Sequence, residues 1–213
     1  MEGLRYIAVE GPIGVGKTSL ATLLAKAFSA RSILENPNEN PFLHQFYQDR
    51  KKYAFQAQIF FLLSRYQQQQ ALQQLDLFRQ LTVSDYLFAK DRIFASVNLD
   101  ENEMALYERI YRLLTGRIPT PDLVIYLQAK APVLMSRIKQ RDHPDERSIE
   151  SDYVQSLVEA YNDFFFHYDE SPLLVIDTSE IDFVHREKDM ANLLREIQKP
   201  RKGTWYYVPR SFG

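Results

Sequence analysis

Short apolar or β-branched runs recur along the chain, separated by longer stretches in which apolar residues return every three or four positions. The runs fall at 6–9, 32–34, 81–83, 123–127 and 173–176, and the helix-period stretches at 17–29, 53–79, 86–97, 102–115, 131–141, 150–168 and 186–198. A strand buried on both faces reads as a continuous apolar run, whereas a helix resting on a sheet shows a stripe. The alternation predicts an α/β fold with a parallel sheet of five strands and crossover helices. Within 53–79, Phe55, Ile59, Leu62 and Tyr66 make a buried stripe that gives way to Gln67-Gln68-Gln69-Gln70. Glutamine is a good helix former, so this tract reads as a solvated helix face.

The 213 residues, set against about 150 per domain, argue for one domain spanning 1–213, and no repeat or Pro/Ser-rich linker divides it. Twenty-six Lys and Arg against 28 Asp and Glu leave a net charge of −2, which argues against a general binder of nucleic-acid polymers. Any anion the chain handles must be met locally. One place for that is 130–141, where Lys130, Arg137, Lys139 and Arg141 occur with no acid among them. Cysteine is absent, which excludes disulfide scaffolds, thiolate metal sites and cysteine nucleophiles. With no 18-residue apolar run and no basic-then-apolar leader, the expectation is a cytoplasmic protein without a membrane partner.

Three of the seven glycines lie within six residues, in Gly11-Pro12-Ile13-Gly14-Val15-Gly16-Lys17-Thr18. This is a full match to the phosphate-binding loop G-x-x-x-x-G-K-[ST], with an apolar run before it and a helical stripe after it. Backbone N–H groups of Gly11, Gly14, Val15, Gly16 and Ser19 are then expected around the phosphates of ATP. Lys17 reaches the β- and γ-phosphates, and the Thr18 hydroxyl faces Mg²⁺. Phosphoryl transfer also needs an acid near the metal, at the end of a neighbouring strand, and Asp85 supplies it.

A phosphate loop says nucleotide binding without naming an acceptor. Glu35 ends the second run and is expected at the same crevice, beyond the carboxyl ends of the strands, where a carboxylate can take a proton from an attacking hydroxyl. Gln58 and Arg65 are seven apart on the long helix and share a face, an amide and a guanidinium suited to the edge of a nucleobase. Arg137 and Arg141 are four apart on another helix, placed to close over a transferring phosphoryl group. Each of these also has a plainer reading as a solvated or capping residue.

Together these residues resemble the deoxynucleoside kinase family from about residue 5 to residue 178. The resemblance implies a three-layer P-loop kinase fold with a five-stranded parallel sheet, generally homodimeric, transferring the γ-phosphoryl of ATP to the 5′-hydroxyl of a deoxynucleoside in nucleotide salvage. It implies Glu35 as general base, with Lys17, Asp85 and Arg141 beside it in catalysis. Tyr47 and Glu146 are implied to hold the sugar 3′-hydroxyl, and Gln58, Arg65 and Asp91 to read the base. That set favours deoxyadenosine, deoxyguanosine or deoxycytidine over thymidine. Residues 137–147 resemble the lid over the ATP phosphates, and Thr18 with Asp85 would hold Mg²⁺, partly through water.

Two positions depart from the family pattern. The Arg expected after the strand-three acid is Tyr86, with Lys90 one helical turn on as a substitute charge, and the second lid Arg is His143. Two other readings compete: a monophosphate kinase of thymidylate-kinase type, and a P-loop module without turnover. The tail at 200–213, with the single Trp, lies beyond the resemblance and receives no function; helices 53–79 and 150–168, the latter carrying Phe164-Phe165-Phe166, are candidate dimer surfaces.

Overall fold

In the computed structural model, residues 4–74, 80–116, 118–199 and 202–208 are described. The predicted extension of the long helix over 75–79, and tail residues 200, 201 and 209–213, lie outside them.

Six strands, β1 (Tyr6–Glu10), β2 (Arg31–Ile33), β3 (Thr82–Ser84), β4 (Leu123–Gln128), β5 (Leu173–Asp177) and β6 (Thr204–Tyr207), form one sheet in the order β2-β3-β1-β4-β5-β6. All neighbours are parallel, and Ile7 stands opposite Val83 on one side and Leu123 on the other. The strand that leads into the phosphate loop is therefore central, with the chain leaving to opposite sides of it, the place where open α/β sheets bind ligands.

Helices α1 (Lys17–Ala27), α2 (Leu43–Gln48), α3 (Arg50–Gln74), α4 (Lys90–Asn98), α5 (Glu101–Thr115), α6 (Ala131–Arg141), α7 (Ser151–Phe166) and α8 (Glu187–Ile197) connect the strands. Alternate strand residues feed two cores. Ile7, Val9, Ile125 and Leu127 pack with Leu20 and Leu24 of α1 and with Leu193 of α8. Ala8, Val124 and Tyr126 pack with Ile93 of α4 and with Tyr161 and Phe165 of α7. Both faces are thus covered, which is why β1, β4 and β5 read as unbroken apolar runs. A third cluster, Leu62, Phe88, Ala95 and Tyr107, joins α3 to α4 and α5.

Four expectations change. The sheet has a sixth strand, because Trp205 of the tail is 8% exposed and enters the larger core. Helix α2 was not anticipated, being too short to show a helical period, and α4 begins at Lys90 instead of 86 because Asp85 to Ala89 form the connection from β3. The glutamine tract is a solvated face only in part: Gln67 is exposed, but Gln69 is fully buried and donates to Tyr6 Oη and Tyr86 Oη, both at 3.3 Å, while Gln68 Oε1 accepts from Tyr86 Oη at 2.9 Å. Of the three phenylalanines, Phe165 is buried and Phe166 is exposed.

Candidate active site

The phosphate loop takes its shape from close approach. A Cβ on Gly11 (φ +152°) would lie 2.4 Å from the carbonyl oxygen of Leu127 in β4, so only glycine lets the loop leave the sheet here. Gly16, in the left-handed region, precedes α1 without any side-chain cap, which leaves the first-turn N–H groups for an anion. Lys17 Nζ donates to the Gly11 and Pro12 carbonyls at 2.7 and 3.2 Å. Burial, reinforced by the nearby Lys90 ammonium, lowers its pKa to about 8.

Asp85 follows β3 and ties two elements together. Its Oδ2 accepts from the Thr18 hydroxyl at 2.5 Å and its Oδ1 from the Glu35 backbone N–H at 2.7 Å. The Glu35 carboxylate in turn lies between two cations. Arg65 Nε donates to Oε1 at 2.7 Å and Lys90 Nζ to Oε2 at 2.8 Å. Burial opposes ionisation of Glu35, but Arg65 and Lys90 outweigh it and hold the carboxyl well below the usual range.

These groups share a cavity of about 480 Å³ with Gln58, Tyr47, Arg141 and Glu146, and with the apolar Phe46, Phe61 and Phe94. That volume suits a small ligand held by a few converging polar groups. Gln58 Nε2 donates to the Asp91 backbone carbonyl at 3.2 Å. Arg141 and Glu146 form an ion pair, and Asp145 Oδ1 accepts from His44 Nδ1 of α2 at 2.7 Å.

Not every expected residue reaches this cavity. Asp91 is fully buried behind Arg65 and pairs with its Nη1; burial raises its carboxyl to about 6 despite that partner. Its contribution to a ligand therefore passes through Arg65. Arg137 lies outside this cavity: it donates to the Thr178 carbonyl at 2.6 Å, the Thr178 hydroxyl at 3.1 Å and the Val15 carbonyl at 3.4 Å. It lines an adjoining cleft of about 390 Å³ with Val15, Gly16, Ser19 and Phe183. Tyr86 turns away from the cavity into the Gln68 and Gln69 contacts.

Glu10 was missed by sequence reasoning. Fully buried, its carboxylate accepts from Gly11 N and Leu87 N, both at 2.8 Å, and from Tyr161 Oη at 3.0 Å. It fixes the start of the loop against the β3–α4 connection. The available signal was an acid closing an apolar run directly before the first loop glycine.

A phosphate loop on a central parallel strand, an acid closing the next strand, and a carboxylate across a shared cavity define a P-loop phosphotransferase with a separate acceptor pocket. Residues 7–200 match the model of the deoxynucleoside kinases, and the chain belongs to that family. It is 35% identical over 199 residues to the deoxyguanosine kinase of Bacillus subtilis (strain 168), covering 91% of this chain and 96% of that one. To the deoxyadenosine kinase of Dictyostelium discoideum it is 32% identical over 214 residues, covering 98% and 85%. Among solved structures, deoxyadenosine kinase from M. mycoides with bound dATP superposes with a TM-score of 0.79 at 27% identity, covering 91% of this chain and 99% of that one. The chain is an ATP-dependent kinase of deoxynucleosides, which sets aside the thymidylate-kinase and non-catalytic readings.

Proposed function

We propose that this kinase phosphorylates the 5′-hydroxyl of deoxyadenosine, deoxyguanosine or deoxycytidine in preference to thymidine, with Glu35 as the general base. The observation that carries this reading is the placement of Glu35: its backbone is bonded to Asp85, which is bonded to Thr18 of the phosphate loop, while its carboxylate faces the wall that carries Gln58 and Arg65. The base, the loop and the nucleobase readers are thus linked by hydrogen bonds within one cavity. Relatives named deoxyguanosine kinase, deoxyadenosine kinase and deoxyadenosine/deoxycytidine kinase support the preference.

The acceptor's 5′-oxygen attacks the γ-phosphorus, its proton passes to Glu35, and the bond to ADP breaks with its electron pair on the departing oxygen. Loop N–H groups and Lys17 hold the phosphates. Tyr47 and Glu146 take the sugar 3′-hydroxyl, and Gln58 and Arg65, backed by Asp91, read the base. Arg141 meets the phosphates when the lid engages them, and Arg137 braces the donor side through Val15.

Thr18 and Asp85 fit Mg²⁺. A hydroxyl and a carboxylate in mutual contact at a helix start offer hard oxygen ligands, and Mg²⁺ in such sites needs only one or two protein groups besides phosphates. When bound, the ion neutralises phosphate charge. Homodimeric assembly and a cytoplasmic location complete the proposal, to be checked by light scattering and cell fractionation. No helix among the described residues is long and apolar enough to cross a membrane.

The deciding experiment is ADP release from the purified chain with each of the four deoxynucleosides. Thymidine as the best acceptor would overturn the preference. Glu35→Gln should lower kcat at least about 100-fold while ATP affinity stays within twofold; full activity in that variant would remove Glu35 from the role of base.

A further inference from the structure

Lys90 is a buried cation whose partner is the group expected to take the substrate's proton. It opens α4, its side chain is 5% exposed, and its Nζ lies 2.8 Å from Glu35 Oε2 and 5.6 Å from the centroid of the Phe94 ring. Arg65 already binds the other carboxylate oxygen through two nitrogens and is itself pinned by Asp91. Glu35 therefore does not need Lys90 to stay in place. What Lys90 does is cover the remaining oxygen, and a carboxylate with both oxygens on cations is a poor proton acceptor.

A second observation says where Lys90 can go. It lines the same cavity as Lys17, Thr18 and Asp85. Two buried ammonium groups facing one space repel each other until an anion enters between them. The flexible four-carbon stem of lysine allows a shift that the pinned Arg65 fork does not. Tyr86, where the family pattern has arginine, points into Gln68 and Gln69, so Lys90 is the cation that the segment from Asp85 to Phe94 presents to the cavity.

We propose that Lys90 contacts the substrate as a moving cation: it rests on Glu35 Oε2 as seen here and passes to the transferring phosphoryl group, uncovering the oxygen that takes the 5′-proton. The proposal rests on the reading of Glu35 as base. The proton from the 5′-oxygen goes to Glu35, and the electron pair of the broken P–O bond leaves with ADP. Stabilisation of developing phosphoryl charge and release of the base are thereby timed to one event, the arrival of the phosphoryl group.

The test compares the parent with Lys90→Met, which keeps an apolar stem against Phe94, with Lys90→Arg, and with Lys90→Ala in ethylammonium, kcat being scaled to the native fraction read by circular dichroism. Lys90→Met should lose about 100-fold in kcat, with the KM of ATP and of the deoxynucleoside within threefold. Lys90→Arg should retain at least a tenth of parental kcat, and ethylammonium should restore Lys90→Ala at least tenfold. A kcat per native Lys90→Met molecule within threefold of the parent, or no rescue by ethylammonium, overturns the inference. A parent that forms no deoxynucleoside-dependent ADP overturns the underlying reading and the inference with it, whereas an active parent with an unaffected Lys90→Met variant overturns the inference alone.

Discussion

Arg141 and Glu146 face each other at the end of α6 and the turn after it as a two-pronged ion pair, Nε to Oε2 at 3.1 Å and Nη2 to Oε1 at 2.6 Å. One is the cation expected on the phosphates and the other the acid expected on the sugar, so each occupies its partner's place for a ligand. An exposed pair of this kind is worth little by itself, and exchange for ligand contacts is inexpensive. Glu146→Gln, which frees Arg141, should therefore raise the KM of the deoxynucleoside about tenfold while leaving ATP affinity equal or tighter. Calorimetric titration with ATP and steady-state kinetics check both parts; a weakened ATP affinity would contradict this exchange.

Lys17 sets a pH dependence on the donor side. Its pKa of about 8 lies below the ordinary lysine value because burial and Lys90 disfavour the charged form. Phosphates favour that form and raise the pKa again, so above pH 8 ATP binding should take up close to one proton and weaken as pH rises. Titrations at pH 9 in two buffers of different ionisation enthalpy measure the uptake directly. Zero uptake there would mean that Lys17 is fully protonated before ATP arrives.

Gly11→Ala tests the packing of the loop on β4. With the added carbon 2.4 Å from the Leu127 carbonyl oxygen, backbone has to move. ATP affinity should fall at least about tenfold, a consequence of displaced loop N–H groups. Binding within twofold of the parent would show that the loop can shift without cost.

Trp205→Ala tests the sixth strand. Loss of a buried tryptophan from the larger core should cost about 3 kcal/mol in urea unfolding, with kcat per native molecule unchanged. A cost below about 1 kcal/mol would mean that β6 contributes little to the core.

The legible parts of the molecule are those in which one rule dominates. The unbroken apolar runs of β1, β4 and β5 follow from burial on both faces, and the helix at 131–141 is found with the predicted bounds. The loop motif carries its own geometry, so Lys17, Thr18 and Asp85 come together as expected. Less legible were features decided by contacts far away in sequence. Gln69 looks solvated until Tyr6 and Tyr86 are placed against it, and Arg137 looks free until Thr178 and Val15 offer it acceptors. The tail strand had a local sign, Thr204-Trp205-Tyr206-Tyr207 after Gly203, rich in β-branched and aromatic residues, but its pairing with β5 is a tertiary fact.

The contact between Gly11 and Leu127 has a consequence for how the chain acquires its activity. The phosphate loop is contiguous in sequence, yet its first residue is shaped by a carbonyl more than a hundred positions later, and β1 finds its two neighbours only once β3 and β4 exist. Such distant pairings slow folding. A fragment ending before β4 would therefore contain the whole loop motif and still lack both the carbonyl that shapes Gly11 and one of the two neighbours of β1.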